Sequence, residues 1–279
     1  MPSIARLARD TAQGVVATFR YWLQTEVHVH AFAIAASTLL AFFPFVIICV
    51  SLGSWVFDPQ AVVGTMDVAF RDVFPSAMGD FMHRNLPVPE PVEFLSIFIL
   101  FFSANGIFEP LEVALNRAWG IETNRSYLRN QLVSMILIFV CGGITLLSLG
   151  LAAMRQTHVG NLPIEQWMSA VFFKSAAVPL TVLVLALVYR YLPNGRPPWR
   201  RILPASAGVA VLLEALKSIN SWAWPIFDQK LQREYGVFRY SATLIFLSFL
   251  AAMLVLGGAE WAARGHRMDE KRDPDATHS

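Results

Sequence analysis

The chain has 279 residues, of which 55% are hydrophobic and only 15% are charged, and its formal net charge is +2. Soluble domains carry about 25% charged residues, so the composition argues against an ordinary soluble domain, and the small net charge argues against nucleic acid as a partner. Its two cysteines, Cys49 and Cys141, lie within apolar segments and are interpreted as packing residues rather than as a disulfide.

The N-terminal segment, residues 1–30, is predicted to form an amphipathic helix. Between residues 3 and 26, apolar side chains alternate at roughly helical spacing with Arg6, Arg9 and Arg20. A basic face opposite an apolar face suits a helix lying in the membrane interface, and packing of this helix on the protein itself is the alternative. The segment lacks the apolar core of a secretory signal, so we expect the first apolar segment to be an uncleaved anchor.

The first predicted span is the stretch 31–57, which holds 27 residues without Asp, Glu, Lys or Arg. A helix of this length reaches about 40 Å, whereas the hydrocarbon core of a bilayer is about 30 Å thick. Pro44 is compatible with such a span, because neighbouring helices can satisfy the carbonyl that it frees. The polar segment 58–92 that follows is predicted to be an outer loop containing a short surface helix at 62–74.

The second span is predicted at about 94–117. Its apolar part, 94–108, is too short to cross alone, so the span must continue through NGIFEP. The Asn105–Gly106 pair, followed four residues later by Pro110, predicts a broken or kinked helix. The polar residues brought to membrane depth are Asn105, Gly106, Glu109 and Glu112.

Four more spans follow, and they complete an all-α polytopic membrane protein with six transmembrane helices. The polar linkers and the apolar runs between them set their bounds. The transmembrane domain therefore covers residues 31–263, and a charged tail, 264–279, follows it. The predicted spans are 131–154, 169–189, 202–224 and 240–263.

The distribution of basic residues predicts the orientation. With the N-terminus inside, fourteen lysines and arginines fall in the inner segments and six in the outer ones, while Lys174 and Lys217 lie within spans. Basic residues are enriched in cytoplasmic loops. We therefore expect both termini to lie in the cytoplasm.

Ionisable and amide side chains inside the spans are the candidate site residues, since a charge at the bilayer centre is costly and faces protein or water. Glu214 lies close to the middle of the fifth span, and Lys217 is three residues on, so the two can pair. The alternatives to a functional role are a self-neutralised structural pair or a Lys217 side chain that snorkels outward. Glu109 and Glu112 share one face of the second span, near Asn105 and Asn116, unless the helix has already left the membrane there. Glu260, near the inner surface, is explained by helix packing or an ion pair with an arginine.

Signatures of soluble enzymes are missing from the sequence. There is no phosphate-binding loop, nucleophile elbow or HExxH motif, and the six histidines are scattered. His28 and His30 lie two residues apart and make a poor metal pair on a helix. We expect no catalytic residues, no metal and no cofactor, and hence no enzyme.

Several segments of the sequence resemble the YihY/BrkB family of bacterial inner-membrane proteins, once labelled ribonuclease BN. They are ASTLLAFFPFVI at 36–47, LEVALNRAWG at 111–120, YRYLPNGRPPWRRILPASAG at 189–208 and YGVFRYSATLIFLSFLAAMLVLGGAEWAA at 235–263. Together they cover most of residues 31–263. The resemblance implies six helices with cytoplasmic termini in a bacterial inner membrane, and it implies that the ribonuclease label is a misassignment.

Two functions remain open from the sequence. The resemblance implies envelope transport, so the first is a transporter or exporter of an amphiphilic, lipid-like substrate, in contact with membrane lipids. Asn105, Glu109, Glu112, Asn116, Glu214 and Lys217 would then line a polar path between helices, and the predicted break in the second span favours such a path. The second is a non-transporting scaffold that binds an envelope protein through its outer loops. A homo-oligomer is compatible with either function.

Overall fold

The protein is described from a computed structural model, which covers Gly14, 16–54, Val62, 94–122, 132–144 without 135, 138 and 142, and 178–272. In these segments all regular structure is helical. Residues 16–22 are helical and precede the first long helix. The helices are α1 (Thr25–Ser54), α2 (Phe94–Trp119), α3 (Leu132–Cys141), α4 (Val178–Tyr191), α5 (Trp199–Tyr235) and α6 (Arg239–Arg272), and one 3-10 turn, Gly236–Phe238, joins α5 to α6.

Four helices among the described residues are long and apolar enough to cross a membrane. They match the first, second, fifth and sixth predicted spans, and their apolar segments are Thr25–Ile48, Phe98–Trp119, Trp199–Tyr235 and Arg239–Met268. The chain is thus a membrane protein that is all-helical in its described segments and has at least these four candidate spans. The shorter apolar helix α3 lies within the third predicted span, and α4 begins within the fourth and ends two residues beyond it. The other residues of these two spans, apart from 143 and 144, are outside the described ranges. The count of six spans stays a prediction.

Other predicted features also fall mostly outside the described residues. These are the first half of the N-terminal amphipathic helix, the outer surface helix at 62–74 apart from Val62, and the end of the tail beyond Arg272. Of the surface helix, only Val62 is described; it is helical and buried. The amphipathic helix and the outer helix therefore stay predictions.

The second span was predicted to be broken or kinked; the predicted break is wrong, and the kink stays a prediction. Helix α2 continues through Asn105–Gly106 and through Pro110 without interruption. Pro110 lacks the N–H that would bond to the carbonyl of Gly106, but α1 packs closely against the helix at this level. A Cβ added to Gly106 would lie 2.4 Å from Ser37 Oγ, so the glycine permits a close approach of the two helices, and the packing holds the helix together around the proline.

Helix α5 is longer than the span predicted for it. It begins at Trp199 and has 37 residues, which corresponds to about 55 Å. The predicted span 202–224 accounts for little more than half of it, and the segment 225–235, interpreted as a polar connection, continues the helix. The helix ends at Gly236, whose φ of 54° lies in the left-handed region that glycine adopts at low cost.

Helix α6 occupies the centre of the described bundle, because it packs against α1, α2 and α5. Two adjacent glycines make this packing possible. A Cβ on Gly257 would lie 2.5 Å from Trp22 Nε1, and a Cβ on Gly258 would lie 2.2 Å from Val209 Cγ2 of α5. The fully buried side chains of the main core come from α1, α2, α4, α5, α6 and the turn after α4; the largest of them are Leu115, Tyr189, Leu192, Ile202 and Leu256.

Candidate functional site

Glu214 and Lys217 form an ion pair on the flank of α5. Lys217 Nζ lies 2.5 Å from Glu214 Oε1, and the side chains are 38% and 30% exposed for the lysine and the glutamate. This distance confirms the predicted pairing, which residues three apart on one helix face can make. One helical turn before Glu214, on the same side of the helix, Val211 is exposed. The pair is therefore a charged spot on a partly exposed apolar helix surface.

The two carboxylates of α2 have different surroundings although they lie one turn apart. The Glu109 side chain is exposed, whereas Glu112 is only 5% exposed. Asn105, one turn before Glu109, is half-buried. Glu112 is thus the buried carboxylate of this candidate span. Burying an ionised carboxylate is costly without compensating contacts, so this position is a candidate for a functional role.

Asn116 has a defined contact with the turn that follows α4. Its Oδ1 accepts a hydrogen bond from the backbone N–H of Asn194, at 2.7 Å. The same turn packs against Ile121, just after the end of α2, since a Cβ on Gly195 would lie 2.7 Å from Ile121 Cδ1. The amide that the sequence assigned to a polar path thus anchors the turn at 192–195 to the end of α2.

The six candidate residues belong to two separate groups in the structure. Asn105, Glu109, Glu112 and Asn116 are on α2, and Glu214 and Lys217 are on α5. Helix α6 packs against both of these helices, while α2 and α5 have no extensive contact with each other within the described segments. A path that used both groups would have to pass around α6.

A network of arginines surrounds Glu260 on α6, as expected from its position near the predicted inner surface. Its Oε1 lies 3.2 Å from Arg264 Nη2 and 3.1 Å from Arg267 Nη2. Arg264 also donates a hydrogen bond of 3.0 Å from Nη1 to the carbonyl oxygen of Gly14. Burial, and to a smaller extent the nearby carboxylate of Glu260, raises the pKa of Tyr21 to about 12. The N-terminal segment is thereby fastened to the end of α6.

Two side chains donate hydrogen bonds to backbone carbonyls in the middle of α6, and the sequence analysis predicted neither bond. Trp22 Nε1 donates to the carbonyl oxygen of Met253 at 2.8 Å. The Tyr189 hydroxyl donates to the carbonyl oxygen of Val255 at 2.6 Å. These contacts join residues 231 and 66 positions apart, so no local pattern could have revealed them; the adjacent glycines at 257 and 258 were the nearest available signal.

The turn between α4 and α5 is held by Arg190. Its Nη1 donates to the carbonyl oxygen of Pro197 at 2.5 Å, and its guanidinium lies 5.6 Å from the centre of the Trp199 ring. On this turn and the first turn of α5, Arg196 and Arg200 are exposed. The end of the bundle that carries Asn194 therefore presents a basic and aromatic surface.

Comparison with known proteins identifies one matching family and two relatives. Residues 18–279 match the family described as virulence factor BrkB. One relative is a UPF0761 membrane protein of Chromobacterium violaceum, 27% identical over 168 residues, which are 58% of this chain and 39% of that protein. Another, a UPF0761 membrane protein of Alcanivorax borkumensis, is 26% identical over 175 residues, 60% of this chain and 39% of its own length. The match thus spans about two fifths of these curated relatives. No solved structure matches the chain.

Proposed function

The chain belongs to the virulence factor BrkB family, and from this premise we propose that it moves an amphiphilic, lipid-like substrate across the bacterial inner membrane. In this proposal six helices span the membrane and both termini lie in the cytoplasm, as the distribution of basic residues favours. The names of the two relatives describe membrane proteins and no activity. The substrate class is therefore inferred from this chain's own residues and from the family resemblance.

The half-exposed ion pair of Glu214 and Lys217 is the observation that carries the proposal. A charged pair near the middle of a span is costly in hydrocarbon, yet this pair is not enclosed by protein, and apolar residues such as Val211 are exposed beside it. Such a surface suits a molecule with a polar head and apolar chains. The head would contact the pair while the chains stay in the bilayer.

The buried carboxylate of Glu112 is assigned to a second part of the same path, on α2. Glu109, exposed one turn away, and the half-buried Asn105 belong to it, and Asn116 positions the turn at its end. The continuous course of α2 removes one argument for transport, because an irregular backbone no longer lines the path. The proposal therefore rests on the charged side chains and on the family resemblance.

Reconstitution into vesicles tests the proposal. Vesicles carry a fluorescent phospholipid in both leaflets, and a membrane-impermeant reductant added outside bleaches only label that reaches the outer leaflet. We expect wild-type protein to expose the inner-leaflet label, and we expect the variant Glu214→Gln/Lys217→Met, folded to the same degree, not to do so. Wild-type vesicles that protect their inner label as well as protein-free vesicles do would contradict the proposal.

A scaffold function is the second candidate, and the extension of α5 favours it. Beyond the predicted span this helix continues to Tyr235, and Ile226, Phe227 and Tyr235 are exposed there. Exposed aromatic and aliphatic side chains at the end of a span suit contact with another envelope protein. Cross-linking from position 227 to a specific protein, together with no lipid movement in vesicles, would favour the scaffold over the transporter.

A further inference from the structure

The first half of α5 has one buried face and one exposed face. Ile202, Ala205, Ser206, Val209 and Ala210 are buried. The exposed positions recur every three or four residues, as expected for one side of a helix. We call this side the α5 strip; its members are Trp199, Arg200, Leu203, Pro204, Ala207, Gly208, Val211 and Leu212.

The α5 strip changes in chemistry along its length. It begins at an aromatic and basic end, Trp199 and Arg200, and continues through apolar or small residues only. A Cβ added to Gly208 would meet no atom within 4 Å, so the strip is open at its centre. From Trp199 to Val211 the helix rises about 18 Å, close to the roughly 15 Å of one hydrocarbon leaflet.

Two exposed arginines lie at the basic end of the strip: Arg200 is a member of it, and Arg196 lies on the turn just before α5. Arg190 is engaged with Pro197 and Trp199, and Arg201 packs against Gly265, with Nη1 2.9 Å from the position of an added Cβ. Arg196 and Arg200 differ from both, because their side chains are exposed and their guanidinium groups have no hydrogen bond or ion pair with any residue that the structure describes. On the neighbouring α6, the carboxylate of Glu260 is already paired with Arg264 and Arg267.

We propose that the α5 strip binds one anionic phospholipid. Arg196 and Arg200 hold its phosphate, since guanidinium groups match phosphate oxygens in geometry and charge. Trp199 lies at the headgroup level, where aromatic rings are favoured, and an acyl chain follows Leu203 and Gly208 to Val211. The charge at one end, the apolar character of the rest and the length of one leaflet together fit this ligand. The inference does not depend on transport, because it concerns a retained lipid.

Native mass spectrometry of the full-length protein in detergent tests this inference. The protein is titrated with phosphatidylglycerol or with phosphatidylcholine of identical acyl chains. We expect wild-type protein to retain phosphatidylglycerol in preference, and Arg196→Gln/Arg200→Gln to reduce that retention about tenfold or more, since each basic residue contributes to binding of anionic lipid. Lys230→Gln/Arg233→Gln is the matched control, because it removes the same charge from exposed positions at the other end of the same helix.

A third variant tests the acyl chain. Gly208→Leu places a side chain in the open centre of the strip and leaves the arginines intact, so it should also lower retention of phosphatidylglycerol. Equal retention of the two lipids by wild-type protein, or equal losses in the two charge variants, would overturn the proposal. It would also be overturned if the arginine variant lost a protein dimer instead of bound lipid, because the strip would then be an interface between two copies.

Discussion

The hydroxyl of Tyr189 donates a hydrogen bond to the backbone carbonyl oxygen of Val255, and 2.6 Å separates the two oxygen atoms. Tyr189 is 1% exposed and lies near the end of α4, while Val255 lies in the middle of α6. Trp22 makes the corresponding contact from the N-terminal segment to Met253. The central helix is thus held by side chains from two parts of the chain that are distant from it in sequence.

Removal of the Tyr189 hydroxyl should destabilise the protein. Tyr189→Phe keeps the ring in the core but loses one hydrogen bond, with an expected cost of about 1 kcal/mol and a drop of a few degrees in the thermal midpoint. Thermal unfolding in detergent measures the effect. Tyr235→Phe is the control, because Tyr235 is exposed, and equal midpoints for the two variants would show that the bond contributes nothing.

The contact between Gly258 and Val209 should make alanine costly at position 258. Its Cβ would lie 2.2 Å from Val209 Cγ2 and 3.0 Å from the Tyr189 hydroxyl, so Gly258→Ala should cost about 1–3 kcal/mol through overpacking. Val209→Ala removes the nearest methyl group and should restore part of the stability when combined with it.

Gly208→Ala serves as the control for the Gly258 experiment. It lies one residue before Val209 on the same helix and has open space around it, and alanine favours the helix over glycine. Its thermal midpoint should be equal to that of wild-type protein or higher. A Gly258→Ala protein as stable as Gly208→Ala would mean that α5 and α6 are not closely packed at this level.

The ion pair on α5 should behave as a unit. Glu214→Gln or Lys217→Met alone leaves one charge without its partner at membrane depth, so each should lower the thermal midpoint more than the double variant does. We expect the double variant to be stable but to fail to complement an envelope-sensitivity phenotype in a deletion strain. A double variant that is both stable and fully active would assign the pair a structural role only.

The orientation in the membrane can be tested by labelling single cysteines. In a variant that lacks Cys49 and Cys141, cysteines are placed singly at Ser76 and Ser126. Because basic residues are concentrated in the segments predicted to be cytoplasmic, an impermeant thiol reagent should label position 76 in intact cells and position 126 only after permeabilisation. The opposite pattern would reverse the topology.

Local patterns were enough to predict several of these features. The uncharged stretch that begins at Ala31 predicted a span, and most of it lies in α1. The spacing of three residues predicted the pair of Glu214 and Lys217, and the ion pair of Glu260 with an arginine was expected as well. Each of these predictions depends on residues within one helix.

The errors and omissions concern contacts between helices. The Asn105–Gly106 pair and Pro110 predicted a broken or kinked α2, but the helix is unbroken, and Ser37 on α1 approaches it closely at Gly106. The polar composition beyond Pro225 hid the continuation of α5 to Tyr235. Asn116 looked like part of a polar path, and its bond to Asn194, 78 positions away, could not be read from its neighbours.

The sequence by itself determined that the chain is helical and membrane-embedded, because transfer of apolar side chains into lipid depends on residue type and on the length of the run. Only the tertiary structure decided which helix is central and which polar groups meet. Inside a membrane, lipid is as apolar as the helices, so close packing and polar contacts select the partners. Gly258 against Val209 and Tyr189 against Val255 are such contacts, and they join α6 to α5 and to α4.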